Sequence, residues 1–117
     1  MTRTRATAKQ AGASFERLIA NYLATEIDDR IDRRVKTGAA DKGDIAGLRH
    51  HGHRIVIECK DVAKLNLAGW VTEAQAEAGN DGALLGLVVH KRRGKGQPAD
   101  QYVTLTLADL VKLIRGH

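Results

Sequence analysis

The stretch Arg54 to Asp61, Arg-Ile-Val-Ile-Glu-Cys-Lys-Asp, constrains this chain most. Its β-branched run reads as the clearest strand in the sequence. Successive side chains of a strand point to opposite faces. Ile55, Ile57 and Cys59 therefore share the face that goes to a core. Val56, Glu58 and Lys60 share the other, with Glu58 and Lys60 about 7 Å apart. The fold must bury one side of this strand and accommodate a carboxylate and an ammonium on the other.

The flanking segments place that strand in an α/β domain. Ala13 to Glu26 reads as a helix with Phe15, Leu18, Ile19, Tyr22 and Leu23 on one stripe. Asp28 to Lys36 alternates as an edge strand, and Leu67 to Ala78 forms a second helix capped by Asn66. Asp44 to Arg49 reads as a strand joined to Arg54–Asp61 through a turn at His51-Gly52. The loop Thr37 to Gly43 precedes it. The apolar run from Ala83 to His90 suits a strand covered on both faces. Gln101 to Thr106 alternates as a last strand. Leu107 to Arg115 closes the chain as a helix, with Leu110, Val111 and Ile114 expected inward. Residues 1–11 read as a flexible basic arm and 12–117 as a single domain. The element order is α-β-β-β-α-β-β-α, a mixed central sheet flanked by helices.

An acid-x-Lys triplet alone says little, because charged residues are common enough to produce about one by chance at this length. Taken alone, it is better explained as a salt-bridged pair on a half-exposed strand. Asp44 adds the discriminating observation. The hairpin brings it opposite the end of the strand that carries Glu58 and Lys60. Convergent carboxylates raise each other's pKa unless a cation sits between them. Hard oxygen ligands of this kind suit Mg²⁺ or Mn²⁺. Glu16 on the first helix offers a third carboxylate, with a solvated helix residue as the competing reading.

Charge points to a polyanionic partner. The 117-residue chain carries a formal +5 and a pI near 9.7, which favours nucleic acid. The cations cluster as Arg3, Arg5 and Lys9, as Arg33, Arg34 and Lys36, with Lys42 nearby, and as Lys91, Arg92, Arg93 and Lys95. Aromatics are too few for a single-strand stacking platform, so duplex phosphates are the expected contact. The basic glycine loop after His90 lacks the order of a nucleotide P-loop, so no nucleotide cofactor is expected. His50, His51 and His53 match no zinc-finger spacing. The lone Cys59 forms no internal bridge, and no apolar run approaches the ~20 residues of a membrane span. The N-terminus has no signal-peptide pattern. A soluble cytoplasmic protein with no membrane contact is the expectation.

Three segments carry a family resemblance: Gly12-x-x-x-Glu16, Gly43-Asp44-Ile45, and Ile55-Val56-Ile57-Glu58-Cys59-Lys60. A helix with Trp70-Val71-Thr72-Glu73-Ala74-Gln75 and a buried strand follow. In order and spacing the chain resembles the PD-(D/E)xK nuclease superfamily, and within it archaeal-type Holliday junction resolvases. The likeness runs from about Gly12 to the final strand, and it implies a restriction-endonuclease-like fold. It implies that Asp44, Glu58 and the backbone carbonyl of Cys59 bind Mg²⁺ or Mn²⁺. Glu16 would bind the metal or orient its water. Lys60 would position the attacking water or steady the charge on the phosphate. Gln75 would assist. The implied reaction is in-line hydrolysis of a DNA phosphodiester. A four-way junction needs two symmetric cuts, which a homodimer supplies. A restriction- or nicking-type duplex endonuclease and an inactive DNA-binding module of the same fold remain open alternatives.

Overall fold

The computed structural model describes residues 3–36 and 38–117. Met1 and Thr2, in the expected arm, and Thr37, at the start of the expected loop, lie outside the described residues.

The chain is an α/β domain built on a mixed sheet. Helix α1 (Arg5–Glu26) precedes three short strands, β1 (Asp32–Arg33), β2 (Ile45–Ala46) and β3 (Arg49–His50). The long strand β4 (His53–Lys60), helix α2 (Leu67–Asp81) and strand β5 (Leu85–His90) follow. A short 3₁₀ turn (Pro98–Asp100), strand β6 (Tyr102–Thr104) and helix α3 (Leu107–Arg115) complete it. The sheet order is β1-β2-β4-β5-β6, with β3 pairing separately to β4. Among the described residues only β4 and β5 pair in parallel, from Ile55↔Leu85 to Lys60↔His90, with α2 as their crossover. A parallel pair is covered on both faces, which is why every residue of β5 is buried.

Side-chain alternation on β4 runs as the sequence requires. Ile55, Ile57 and Cys59 join Phe15, Ile19 and Ala20 of α1 and Leu85, Leu87 and Val89 of β5 in one core. Val88 faces the opposite way, against Trp70 and Ala74 of α2. The His51-Gly52 turn joins β3 to β4, with φ of 51° and 78°. Positive φ at both central residues is the geometry of a tight hairpin turn whose twist matches its strands.

Several sequence expectations are corrected. Helix α1 starts at Arg5, inside the segment read as an arm, where Thr4 caps it by accepting from the Thr7 amide at 3.1 Å. Ala6, Ala8 and Ala11 favour helix by propensity, and this turn buries nothing, so no apolar period marks it. The strand expected over Asp28–Lys36 shrinks to Asp32–Arg33, and Val35 is exposed. The strand expected over Asp44–Arg49 breaks into β2 and β3 around Gly47-Leu48. Helix α3 has the expected span but presents the other face. Leu107 and Ile114 are 76 % and 73 % exposed, Leu110 and Val111 are exposed too, and Asp109 is buried. Leu113 is the α3 side chain that packs on the core.

Candidate metal centre

The register of the sheet builds the site. Ile45 of β2 lies across from Ile57 of β4, so Asp44 stands across from Glu58. Opposed residues of an antiparallel pair share a face. Gly43 makes the approach possible. Its φ is 94°, and a Cβ there would lie 2.6 Å from the Val56 side chain. The Asp44 amide then donates to the Ile57 carbonyl at 2.9 Å. Asp44 and Glu58 are both buried.

Backbone geometry supplies a further oxygen. The Lys60 carbonyl accepts from Lys91 on the β5 side, while the Ile57 carbonyl faces Asp44. Backbone groups alternate in direction along a strand, so Cys59 turns its N–H and C=O towards Asp44. Its amide donates to Asp44 Oδ2 at 2.9 Å. The Cys59 thiol lies in the core, and burial raises its pKa.

Lys60 reaches Glu73 Oε1 at 2.8 Å and Glu58 Oε1 at 4.0 Å. Burial alone would lower its pKa. The Glu73 contact and the charges of Glu58, Glu73 and Asp44 outweigh burial and hold the ammonium above its ordinary value. Lys36 Nζ sits 3.4 Å from Asp44 Oδ1.

Helix α2 brings carboxylates that sequence reasoning missed. Asp41, Glu58, Glu73 and Glu77 each place one oxygen within 4.8 Å of the others. Glu77 is 2 % exposed, and neither of its oxygens has a hydrogen-bond partner among the described residues. Glu58 Oε2 has none either. Burial pushes Glu58 well above the usual carboxylate range, helped by Glu77 and Asp44. Burial also pushes Glu77 up, to about 7, with Asp41 adding to the effect. Facing carboxylates without donors need a shared proton or a cation. The signal for Glu77 was present in the sequence, because it lies three residues beyond Ala74 and seven beyond Trp70. A glutamate therefore stood on α2's apolar stripe.

Other expected site residues stand apart. Glu16 Oε1 accepts from Arg33 Nη2 at 3.1 Å and Nε at 3.2 Å. Burial and the Asp44 charge raise its pKa despite Arg33, but it is not one of the clustered carboxylates. The expectation that Gln75 assists the site is corrected. Two residues along a helix is about 200° of rotation, so Gln75 faces away from Glu73. Its amide donates to Asp109 at 3.4 Å instead.

The cations expected to meet phosphates divide into two groups. Arg3 pairs with Asp61, Arg33 with Glu16 and Lys36 with Asp44. Arg34 and Arg54 both pair with the carboxylate of Asp81 at the end of α2. Among the described residues Arg5, Lys9, Lys42, Lys91, Arg92, Arg93 and Lys95 make no ion pair with a carboxylate. Arg92 lies 5.3 Å over the Tyr102 ring, and Arg93 donates to the Val62 carbonyl at 2.7 Å. Both line a cleft with Lys60, Leu65, Trp70 and Tyr102, which runs from the basic loop to Lys60.

The donor set is oxygen-only, buried at Asp44, Glu58 and Glu77 and partly unpartnered, which suits a hard divalent cation. No helix among the described residues is long and apolar enough to cross a membrane. No family model, curated protein or solved structure matches the chain.

Proposed function

We propose that this chain is a divalent-metal-dependent endonuclease of restriction-endonuclease-like fold that hydrolyses DNA phosphodiesters. One observation carries the reading. Asp44, Glu58 and Lys60 come together at the end of β4, and the Cys59 backbone presents its polar groups to the same place. A solvated surface ion pair would leave these carboxylates exposed, whereas both are buried.

Asp44, Glu58 and the Cys59 carbonyl would hold the cation. Such an ion, when bound, polarises a phosphoryl oxygen and lowers the pKa of water. The Cys59 amide fixes the rotamer of Asp44. Lys60, kept protonated by its acidic neighbours, places a positive charge where negative charge develops on the phosphate. Glu16, steadied by Arg33 and within the field of Asp44, holds water at the α1 side of the site. The cleft beside Lys60 guides the phosphodiester chain in, with Lys91, Arg92, Arg93 and Lys95 as phosphate contacts.

The substrate we favour is branched DNA, a four-way junction foremost, cut by a homodimer. The apolar face of α3 supports a two-fold pairing of identical chains. Leu107, Leu110, Val111 and Ile114 of α3 are exposed, as is Val103 of β6, an edge strand of the sheet. A patch of this kind on one chain is self-complementary under a two-fold axis.

The deciding experiment compares cleavage of a synthetic four-way junction with linear duplex of the same sequence, in Mg²⁺ or Mn²⁺. Preferential, paired cuts in the junction are expected. Equal cleavage of both would leave a duplex endonuclease and remove the branched-DNA assignment. Absence of cleavage on every DNA form would leave a DNA-binding module.

A further inference from the structure

We propose that Asp41, Glu73 and Glu77 form a second divalent-cation site, joined to the Asp44 site through Glu58. The four carboxylates come from the loop before β2, from β4 and from two successive turns of α2. Their oxygens lie within 4.8 Å of one another. Oxygen ligands stand about 2.1 to 2.6 Å from Mg²⁺, Mn²⁺ or Ca²⁺, so two ligands of one ion lie about 4 to 5 Å apart. The observed spread is that of a ligand set.

The independent observation is Glu77. It is 2 % exposed, it points into the cluster, and both of its oxygens lack a partner among the described residues. Its neighbours on the same face of α2, Trp70, Ala74 and Ala78, are buried and apolar. A buried carboxylate with no donor carries a large desolvation cost. Among the described residues no cation pairs with Glu77: Lys60 contacts the cluster only at Glu73, at 2.8 Å, and Lys36 contacts Asp44 at 3.4 Å. Asp41 is exposed and gives the site its opening to solvent.

The site also has a consequence for Lys60. A cation that takes the Glu73 oxygen removes the closest partner of the ammonium. Lys60 is then released from α2 and left beside Glu58, on the Asp44 side. The second ion would thus couple metal loading to the availability of Lys60. That coupling rests on the hydrolase reading, but occupancy of the site by a cation does not.

Calorimetric titration of the full chain with Mn²⁺, without DNA, tests the proposal. Two equivalents per chain are expected for the wild type. Glu77→Gln and Asp41→Asn should each keep one and weaken the other by at least ~10-fold, while Asp44→Asn should retain the α2-side ion. Asp41→Asn alters an exposed residue, so it stands as a control should Glu77→Gln disturb packing, and circular dichroism reports the fold of each. Wild-type stoichiometry and affinity in both Glu77→Gln and Asp41→Asn would overturn the site. So would a wild type that binds one equivalent or none. Two bound Mn²⁺ without cleavage of any DNA would remove the nuclease reading and leave the site standing.

Discussion

Two ends of this molecule invert the usual rule of burial, in opposite senses. At the end of β4 the chain buries Asp44, Glu58 and Glu77. On α3 it exposes Leu107, Leu110, Val111 and Ile114. Each carries a cost in an isolated chain, since buried carboxylates lose hydration and exposed apolar side chains order water. On the function proposed above, each surface would be completed from outside the chain, the acidic end by cations and the apolar helix by a second copy. The difference is specificity. The carboxylates fix the chemistry of what they take, whereas an apolar face is non-directional and fixes little beyond area.

The largest effect should come from the acidic end. Asp44→Asn and Glu58→Gln should each lower single-turnover cleavage by about 10³-fold, the equivalent of several kcal/mol of lost charge stabilisation. DNA binding should hold or tighten, because a negative charge beside phosphate has gone. Retained cleavage in either variant would make this end a structural cluster and erase the contrast with α3.

The next effect divides α3 against itself. Leu113→Ala should destabilise the fold by about 2 kcal/mol in urea melts, because Leu113 packs on the core. Leu107→Lys with Ile114→Lys should change monomer stability by no more than ~0.5 kcal/mol while shifting sedimentation from dimer to monomer. A chain that is monomeric at high concentration before any substitution would show that the apolar face of α3 is not a dimer surface.

A subtler effect is the pH dependence of the metal-free protein. Glu77 has a folded pKa of about 7 against an ordinary 4.5. Below about pH 4.5 it is protonated in both states and carries no penalty. As pH rises through 4.5 the unfolded chain ionises first, so stability falls until the folded group titrates near 7. In chelator, wild type minus Glu77→Gln should therefore show stability lost between those two values, on thermal melts of both proteins. Mn²⁺ should restore it at neutral pH. Identical pH profiles for the two proteins would show that Glu77 is not held protonated.

The smallest effect lies in the basic loop. Replacing Arg92 and Arg93 with Gln should reduce the slope of log K against log salt by about 0.9 for each phosphate that is no longer neutralised. An unchanged slope would place that loop away from DNA.

Much of this was written in local patterns. The β-branched run Ile55-Val56-Ile57 made β4 a strand, and period-two alternation sent Cys59 inward and Glu58 with Lys60 to the other face. Asn66 marked the start of α2 because a cap acts within one turn. The His51-Gly52 turn set only the first pairs of the hairpin, Arg49 with Arg54; continued, that register would set Asp44 against Cys59, and the break at Gly47-Leu48 shifts it by one residue to set Asp44 against Glu58. Other features were invisible locally. The first turns of α1 lack apolar period because they are exposed. Glu77 stands on the apolar stripe of α2, but which groups it meets there was decided only when α2 was laid across β4. Gln75 was two residues from Glu73 in the chain yet on the far side of the helix, bonded to Asp109. The apolar stripe of α3 fixed that a helix would form, but its orientation was settled by Leu113 and Asp109 meeting the rest of the fold. Periodicity is a property of neighbours in the chain, and so residues 54–61 declared their own geometry. Which face meets which partner depends on residues dozens of positions away, and only the packed sheet brought Asp41, Glu58, Glu73 and Glu77 to one point.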